Sequence, residues 1–464
     1  MAEAQAKFLS GSLFRHVSVM SLTSTVGLMA VFLVDFIDMV FISMLGQAEL
    51  AAAVGYAGAI LFFTTSFSIG MAIAVGALVA RALGSGDAAG ARARASHGLA
   101  YGVVLGSIFA ALVWANVPLF VRWIGATGAT AALAEGYLRI IIPSLPFLVV
   151  GMMGGGVLRA YGDARRSMMS TIYGGGVNAV LDPILIFGLG LDLTGAALAS
   201  VAARVVIAVT AIVPILRHHG GLPRPDLPGL AADFRPLVTI GIPAILTQMA
   251  TPVGQAIVTR SMAQYGLEAV AGMAIVGRLM PVSFAVVFAL SGAVGPIIGQ
   301  NYGAQNFDRV RAGFNAALRF AALVVVFISA VLFGLRGPIA DLFDATGLAR
   351  DLVFLFCGPL ALLFFFNGVL FVSNAAFNNL GHPFYSTWMN WGRNTVAMIP
   401  LVAVGAWLFG AQGVLVGQAL SGVVFGCVAW ALALRTIARG GDEDAPRDRF
   451  DREGRLMSLL NLRK

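Results

Sequence analysis

Two aspartates three residues apart, Asp35 and Asp38, lie inside one apolar run (18–45). A third, Asp182, follows Asn178 by four residues inside another (168–190). A charge in the middle of a membrane span costs about 2.5–3.5 kcal/mol even on the lenient insertion scale, so each is a candidate functional group. On a helix, residues three and four apart are neighbours. Asp35 therefore sits one turn from Asp38 near the same face, and Asn178 and Asp182 share a face. Asp38 is about seven residues from the C-terminal end of its run, roughly 10 Å deep at 1.5 Å per residue. Ser200, in the run 193–216, adds a hydroxyl. Desolvation favours the neutral form of a carboxyl, and a second carboxylate nearby discourages ionisation further. Such a group takes a proton from one side and gives it up when another ligand arrives, which is what a proton-coupled exchanger needs. The same residues also offer hard oxygens to Na+. Asp35, Asp38, Asn178, Asp182 and Ser200 are the expected cation-coupling residues, with Na+ at Asp38, Asn178 and Asp182 as the alternative.

The second half of the chain carries no Asp or Glu well inside an apolar run. Glu268, Asp308, Asp341, Asp344 and Asp351 fall at run ends or in connections. Its embedded polar residues are Arg260, Arg278 and Arg393 with amides such as Gln248, Gln255, Asn367, Asn374 and Asn378. Arg278, Arg393, Gln255, Asn367 and Asn374 are the candidates for a substrate path.

The elements that position these residues must be membrane helices. Of 464 residues, 59% are hydrophobic and 11% charged, and the mean hydropathy is +0.88. A soluble protein carries about 25% charged residues. This excludes a soluble enzyme, a nucleic-acid-binding module and a disordered chain. The net charge of +8 is thus a matter of topology and gives no reason to expect a nucleic-acid partner. The five histidines lie near run ends, no H-E-x-x-H or other metal spacing occurs, and Cys357 and Cys427 sit in apolar runs. No catalytic residues, cofactor or resident metal are expected.

Apolar runs predict about twelve helices, near 18–45, 50–83, 95–121, 133–159, 168–190, 193–216, 236–263, 269–300, 312–335, 350–378, 384–409 and 411–435. Even-numbered connections are rich in arginine: Arg81, Arg92 and Arg94, then Arg159, Arg165 and Arg166, then Arg217, Arg224 and Arg235, then Arg309 and Arg311. Positive connections stay in the cytoplasm, so both termini are expected there. The expected organisation is a first lobe (1–216), a cytoplasmic linker (217–235), a second lobe (236–435) and a charged tail (436–464), whose segment Leu456–Leu462 could touch the membrane surface. Shifting the chain by about 219 residues superposes the halves: Gly76 and Gly84 fall on Gly295 and Gly303, and Gly162 on Gly381. Each half has an even number of spans, so the copies share one topology, with a cleft between lobes related by an axis along the membrane normal.

Several motifs resemble one family, the multidrug and toxic compound extrusion transporters. The run Val34 to Gly46 (VDFIDMVFISMLG) is similar to that family's first helix, with Asp38 eight residues before the Gly. Leu158 to Arg166 (LRAYGDARR) resembles its loop after the fourth helix. Asn178 to Gly188 (NAVLDPILIFG), followed by Gly195 to Ser200 (GAALAS), resembles its fifth and sixth helices, and Gln300 to Asn306 (QNYGAQN) its loop after the eighth. The resemblance implies two six-helix lobes in a V and an antiporter, monomeric and in the bacterial inner membrane. Its expected cargo is organic cations or other amphipathic compounds, and membrane lipid surrounds it. It places Asp38, Asn178, Asp182 and Ser200 on the cation-coupling cluster. Thr251, where one branch carries an acid, points to the DinF-like branch. Asp35 is an acid the pattern does not require, and no proline stands near Thr23, although Pro243 occupies the repeat-equivalent place. A lipid-linked precursor flippase of the same superfamily is the other transporter reading.

Overall fold

The computed structural model describes residues 6–440; the charged tail beyond Gly440, with Leu456–Leu462, lies outside the described residues. In hydrocarbon every backbone N–H and C=O must bond within its own segment, and a chain this apolar meets that demand as helices. Among the described residues ten helices are long and apolar enough to cross a membrane, or eleven counting a bent pair. The helix ending at Ala438 contributes a further crossing, because it reverses at Phe409 and Gly410, whose backbone leaves the helical region. Gly405 then lies against Gly413 and Leu401 against Gly417, as the two arms of a hairpin require. A helix of 17 residues, Leu267–Ser283, continues past Phe284 into Ala285–Gly303 and lengthens that crossing, which is already one of the ten.

We label the crossings α1 (Leu13–Met44), α2 (Ala48–Gly84), α3 (Ala88–Ala115), α4 (Gly128–Ala160), α5 (Ala164–Gly188) and α6 (Asp192–His218). The second six are α7 (Leu227–Ala263), α8 (267–303), α9 (Phe307–Leu342), α10 (347–379), α11 (383–409) and α12 (410–438). All the apolar runs read from the sequence fall on these crossings. The largest boundary difference is α7, which starts at Leu227 rather than near 236. Asp226 caps it by accepting from Gly229 N at 3.1 Å, and Pro228 fits its first turn. Most of the stretch 217–235 is thus helix.

The repeat is written into the backbone. Left-handed φ angles occur at Gly46 and Gly266, Gly86 and Gln305, Gly128 and Gly347, Gly162 and Gly381, and Gly190 and Gly410, each pair about 219 residues apart. Asp87 caps α3 through Gly90 N at 2.7 Å, and its counterpart Asn306 caps α9 through Arg309 N at 3.1 Å.

Each lobe buries its own apolar core, and the lobes exchange contacts through equivalent helices: α1 packs on α8, and α7 on α2. These contacts concentrate at the end that carries both termini. There Gly84 and Gly303, partners in the repeat, meet the opposite lobe's backbone: a Cβ on Gly84 would collide with the Gln300 carbonyl, and one on Gly303 with the Arg81 carbonyl. Membrane helices approach this closely only through small residues. Phe8 is 1% exposed between the lobes. Its N–H donates to Gln300 Oε1 at 2.8 Å, while Gln300 Nε2 donates to Ala160 O at 2.8 Å. Arg81 donates to the Asn378 and Asn379 carbonyls at 2.9 and 3.1 Å.

Candidate functional site

Asp38 and Asp182 come together inside the first lobe. Helix α1 lies along α5, with Gly27 against Met168, Val34 against Gly175, and Phe41 edge-on to Phe187 at 5.9 Å. Asp38, one turn beyond Val34, therefore faces α5. Pro183 follows Asp182 and cannot donate to the helix ladder. The chain then takes a widened turn over Ile184–Gly188, a local feature that recurs at functional sites. The Asp38 and Asp182 carboxyls are within hydrogen-bonding reach of each other. Asp182 is wholly buried and Asn178, one turn away, is 4% exposed. If both carboxyls are ionised, Asp38 Oδ1 and both oxygens of Asp182 lack a donor, a costly arrangement. One proton held between the two acids supplies the missing hydrogen bond.

Around this pair stand groups from two further helices. The Tyr137 hydroxyl of α4 bonds to Ser200 of α6, and its ring lies within electrostatic range of Asp38, Asp182 and Arg204. Arg204 donates to Ile141 O at 3.2 Å and Ser144 Oγ at 3.1 Å. Tyr137 and Arg204 are absent from the expected set. Arg204 carried a signal, standing one helical turn after Ser200 in an apolar run; Tyr137 carried none. Asp35 differs from its neighbours: it is exposed, near enough to Asp38 for their charges to interact, and hydrogen-bonded to no described group.

The five second-half candidates do not converge in one cavity. Asn367 and Asn374 are buried with their carbonyl oxygens unpartnered. Gln255 and Arg278 are exposed. Arg393 sits in the widened turn Gly392–Ala397 of α11, with Nε lacking a partner. None of the five lines the interlobe cavity, which Arg159, Ser291 and Asn378 do line. Among the described residues no group of three or more His, Cys, Asp or Glu is placed to hold a metal ion.

The loop between α4 and α5 braces the termini end. Asp163 caps α5 through Arg166 N and pairs with the Arg166 guanidinium and with His219 Nε2 at 3.1 Å. Burial opposes ionisation of Asp163, but the hydrogen bonds from His219 and Arg166 outweigh it and hold the carboxyl well below the usual carboxylate range. Tyr161 stacks on His219, and Lys7 donates to Gly162 O at 3.1 Å.

A family model described as MatE matches residues 24–184 and 243–404, one stretch in each lobe and more than half the chain in total. The chain belongs to the MatE family. Among curated relatives, an FAD transporter of Shewanella oneidensis is 28% identical over 434 residues, covering 92% of this chain and 96% of its own. The multidrug export protein MepA of Staphylococcus aureus is 23% identical over 414 residues, covering 88% and 90%. Among solved structures, an outward-facing multidrug resistance MATE transporter of the MOP superfamily matches with a TM-score of 0.87 at 21% identity, over 94% of this chain and 98% of that one. A MOP superfamily transporter from Pyrococcus furiosus Vc1, described as having a binding pocket of reverse polarity, matches at 0.86 and 21%, with the same coverage. These likenesses establish the MatE fold, two lobes in a V joined here at the termini end. As a MatE-family protein the chain is a multi-pass membrane transporter.

Proposed function

We propose that this MatE-family chain is an antiporter of the bacterial inner membrane that exports amphipathic organic compounds in exchange for protons. The observation that carries this is the Asp38–Asp182 pair, in which one shared proton would bridge an oxygen of each acid and leave one of the three donorless oxygens over. The arginines of the even connections stand at the termini end, which supports a cytoplasmic assignment for that end and makes the joined state outward-open. In the cycle, a proton enters from outside and bridges Asp38 and Asp182. The lobes then rock, and the proton leaves to the cytoplasm as cargo is taken up. One proton moving down one pH unit supplies about 1.36 kcal/mol. Exchanged for one monovalent cation, it draws nothing from the membrane potential, because the charges cancel. The transport of FAD by one relative and of drugs by another supports a broad amphipathic cargo class that includes organic cations. The oxygens of Asp38, Asn178, Asp182 and Ser200 also support Na+ as the alternative coupling ion.

A drug-susceptibility panel in an efflux-deficient bacterial host tests the export itself. Wild type is expected to raise tolerance to at least one amphipathic compound, and Asp38→Asn, expressed at an equal level, to confer none. Wild-type tolerance with Asp38→Asn contradicts the proposal.

A further inference from the structure

At the joined end of the cleft, between the lobes, lies a cavity of about 50 Å³. Arg159 enters it from α4, Ser291 from α8 and Asn378 and Asn379 from α10, and the rest of the lining is small or apolar, Gly76, Gly156 and Gly292 among it. The glycines leave the room: a Cβ on Gly292 would stand 3.6 Å from Arg159 Nε, and one on Gly76 would stand 3.4 Å from the Gly156 carbonyl. Among the described residues the Arg159 guanidinium has one hydrogen bond, to the neutral Ser167 Oγ at 2.9 Å. Among the described residues no carboxylate forms an ion pair with it.

The other arginines nearby are compensated. Arg166 pairs with Asp163, and Arg81 donates to carbonyls at the C-terminal end of α10, where the helix dipole favours a cation. The remaining groups in the cavity are suited to an anion. Asn378 Oδ1 accepts from Ser386 Oγ at 3.2 Å, which leaves its amide N–H groups as donors, and the Ser291 hydroxyl is a further donor. The one donorless acceptor, Asn379 Oδ1, lies against Gly299. A half-buried guanidinium backed by neutral donors matches an oxyanion and repels a cation.

We propose that this cavity is an oxyanion subsite, in which Arg159 with Asn378 and Ser291 binds a phosphate or carboxylate group of an amphipathic cargo. The inference rests on the exporter reading for the word cargo, but the binding itself does not. Donors come from both lobes, so an anion seated there draws the lobes together at the termini end. When the lobes part, Arg159 on the first lobe separates from Ser291 and Asn378 on the second, and the site comes apart.

The test uses the full chain in neutral detergent at pH 7 and two amphipathic fluorophores that differ by one phosphate, riboflavin and flavin mononucleotide. Wild type is expected to bind flavin mononucleotide at least tenfold more tightly. Arg159→Gln should erase that preference, and Arg159→Lys should keep most of it. If Arg159→Gln does not fold, Asn378→Asp, which puts a carboxylate into the cavity, should erase the preference instead. Equal wild-type affinity for the two flavins, or a preference that survives Arg159→Gln, overturns the proposal. Adding phosphatidylglycerol separates the sources of the oxyanion. Loss of the preference only in its presence assigns the site to a lipid headgroup, and an unchanged preference assigns it to soluble cargo. Ethidium transport in proteoliposomes keeps the two readings apart. An Arg159-dependent preference without transport of any compound removes the exporter reading alone. Ethidium transport without the preference removes the subsite alone.

Discussion

The carboxyls of Asp38 on α1 and Asp182 on α5 are within hydrogen-bonding reach of each other inside the first lobe, and among the described residues three of their oxygens have no donor. Two acids from different helices are thereby one unit: its protonation state decides whether α1 and α5 attract or repel at this point. Such a unit can tie proton occupancy to helix position, because adding or removing one proton changes the sign of a contact between two helices.

Tyr137 closes the far side of that unit through its hydroxyl bond to Ser200. Tyr137→Phe keeps the ring and removes only that bond. We expect export to slow about three- to tenfold, consistent with about 1 kcal/mol for a lost hydrogen bond, while expression and cargo affinity hold. Initial export rates against cargo concentration check this; an unchanged rate with a raised half-saturation would instead assign Tyr137 to cargo binding.

Gly84 and Gly303 set how closely the lobes approach at the termini end. Gly303→Val should hold them apart there and populate the inward-open state. A cysteine pair engineered at positions 81 and 378, in a background lacking Cys357 and Cys427, should crosslink readily in wild type and at least fivefold less with Gly303→Val. Equal crosslinking means the helices slide past the added methyls.

Asp163 gives a pH-dependent stability outside the membrane. Its carboxyl is held below the usual range in the folded state. Its contribution is therefore complete above the unfolded value, about pH 4, and is lost as pH falls through the folded value. Asp163→Asn should unfold at a lower temperature than wild type at pH 7, by about 2 °C or more, with the gap narrowing as pH drops below about 4. A gap that stays constant from pH 7 to pH 3 means that the loss is one of packing.

The sequence reveals the spans because hydrocarbon forces backbone bonding into helices, and runs such as 168–190 mark them directly. It also reveals the repeat, because the left-handed turns at Gly162 and Gly381 need the same residue type in both halves. That Asn178 and Asp182 share one face of α5 follows from spacing alone. Tyr137 does not, since a tyrosine between Glu135 and Arg139 reads as an interfacial residue until α4 is packed against α6. Arg159 reads as a loop charge because hydropathy ends there. Its long side chain leans back along α4, as helical side chains do, and reaches the interlobe cavity. The start of α7 was hidden by Pro228 and Pro236, which break an apolar run without breaking the helix.

Proton exchange at Asp38 is the central claim, and ion-driven ethidium transport in proteoliposomes meets it most directly. Wild type and Asp38→Asn are each given a pH gradient without sodium, and then a sodium gradient at clamped pH. The account predicts that the pH gradient alone drives wild-type transport and that Asp38→Asn responds to neither gradient. Transport driven by sodium and not by protons, or wild-type rates with Asp38→Asn under the pH gradient, would contradict it.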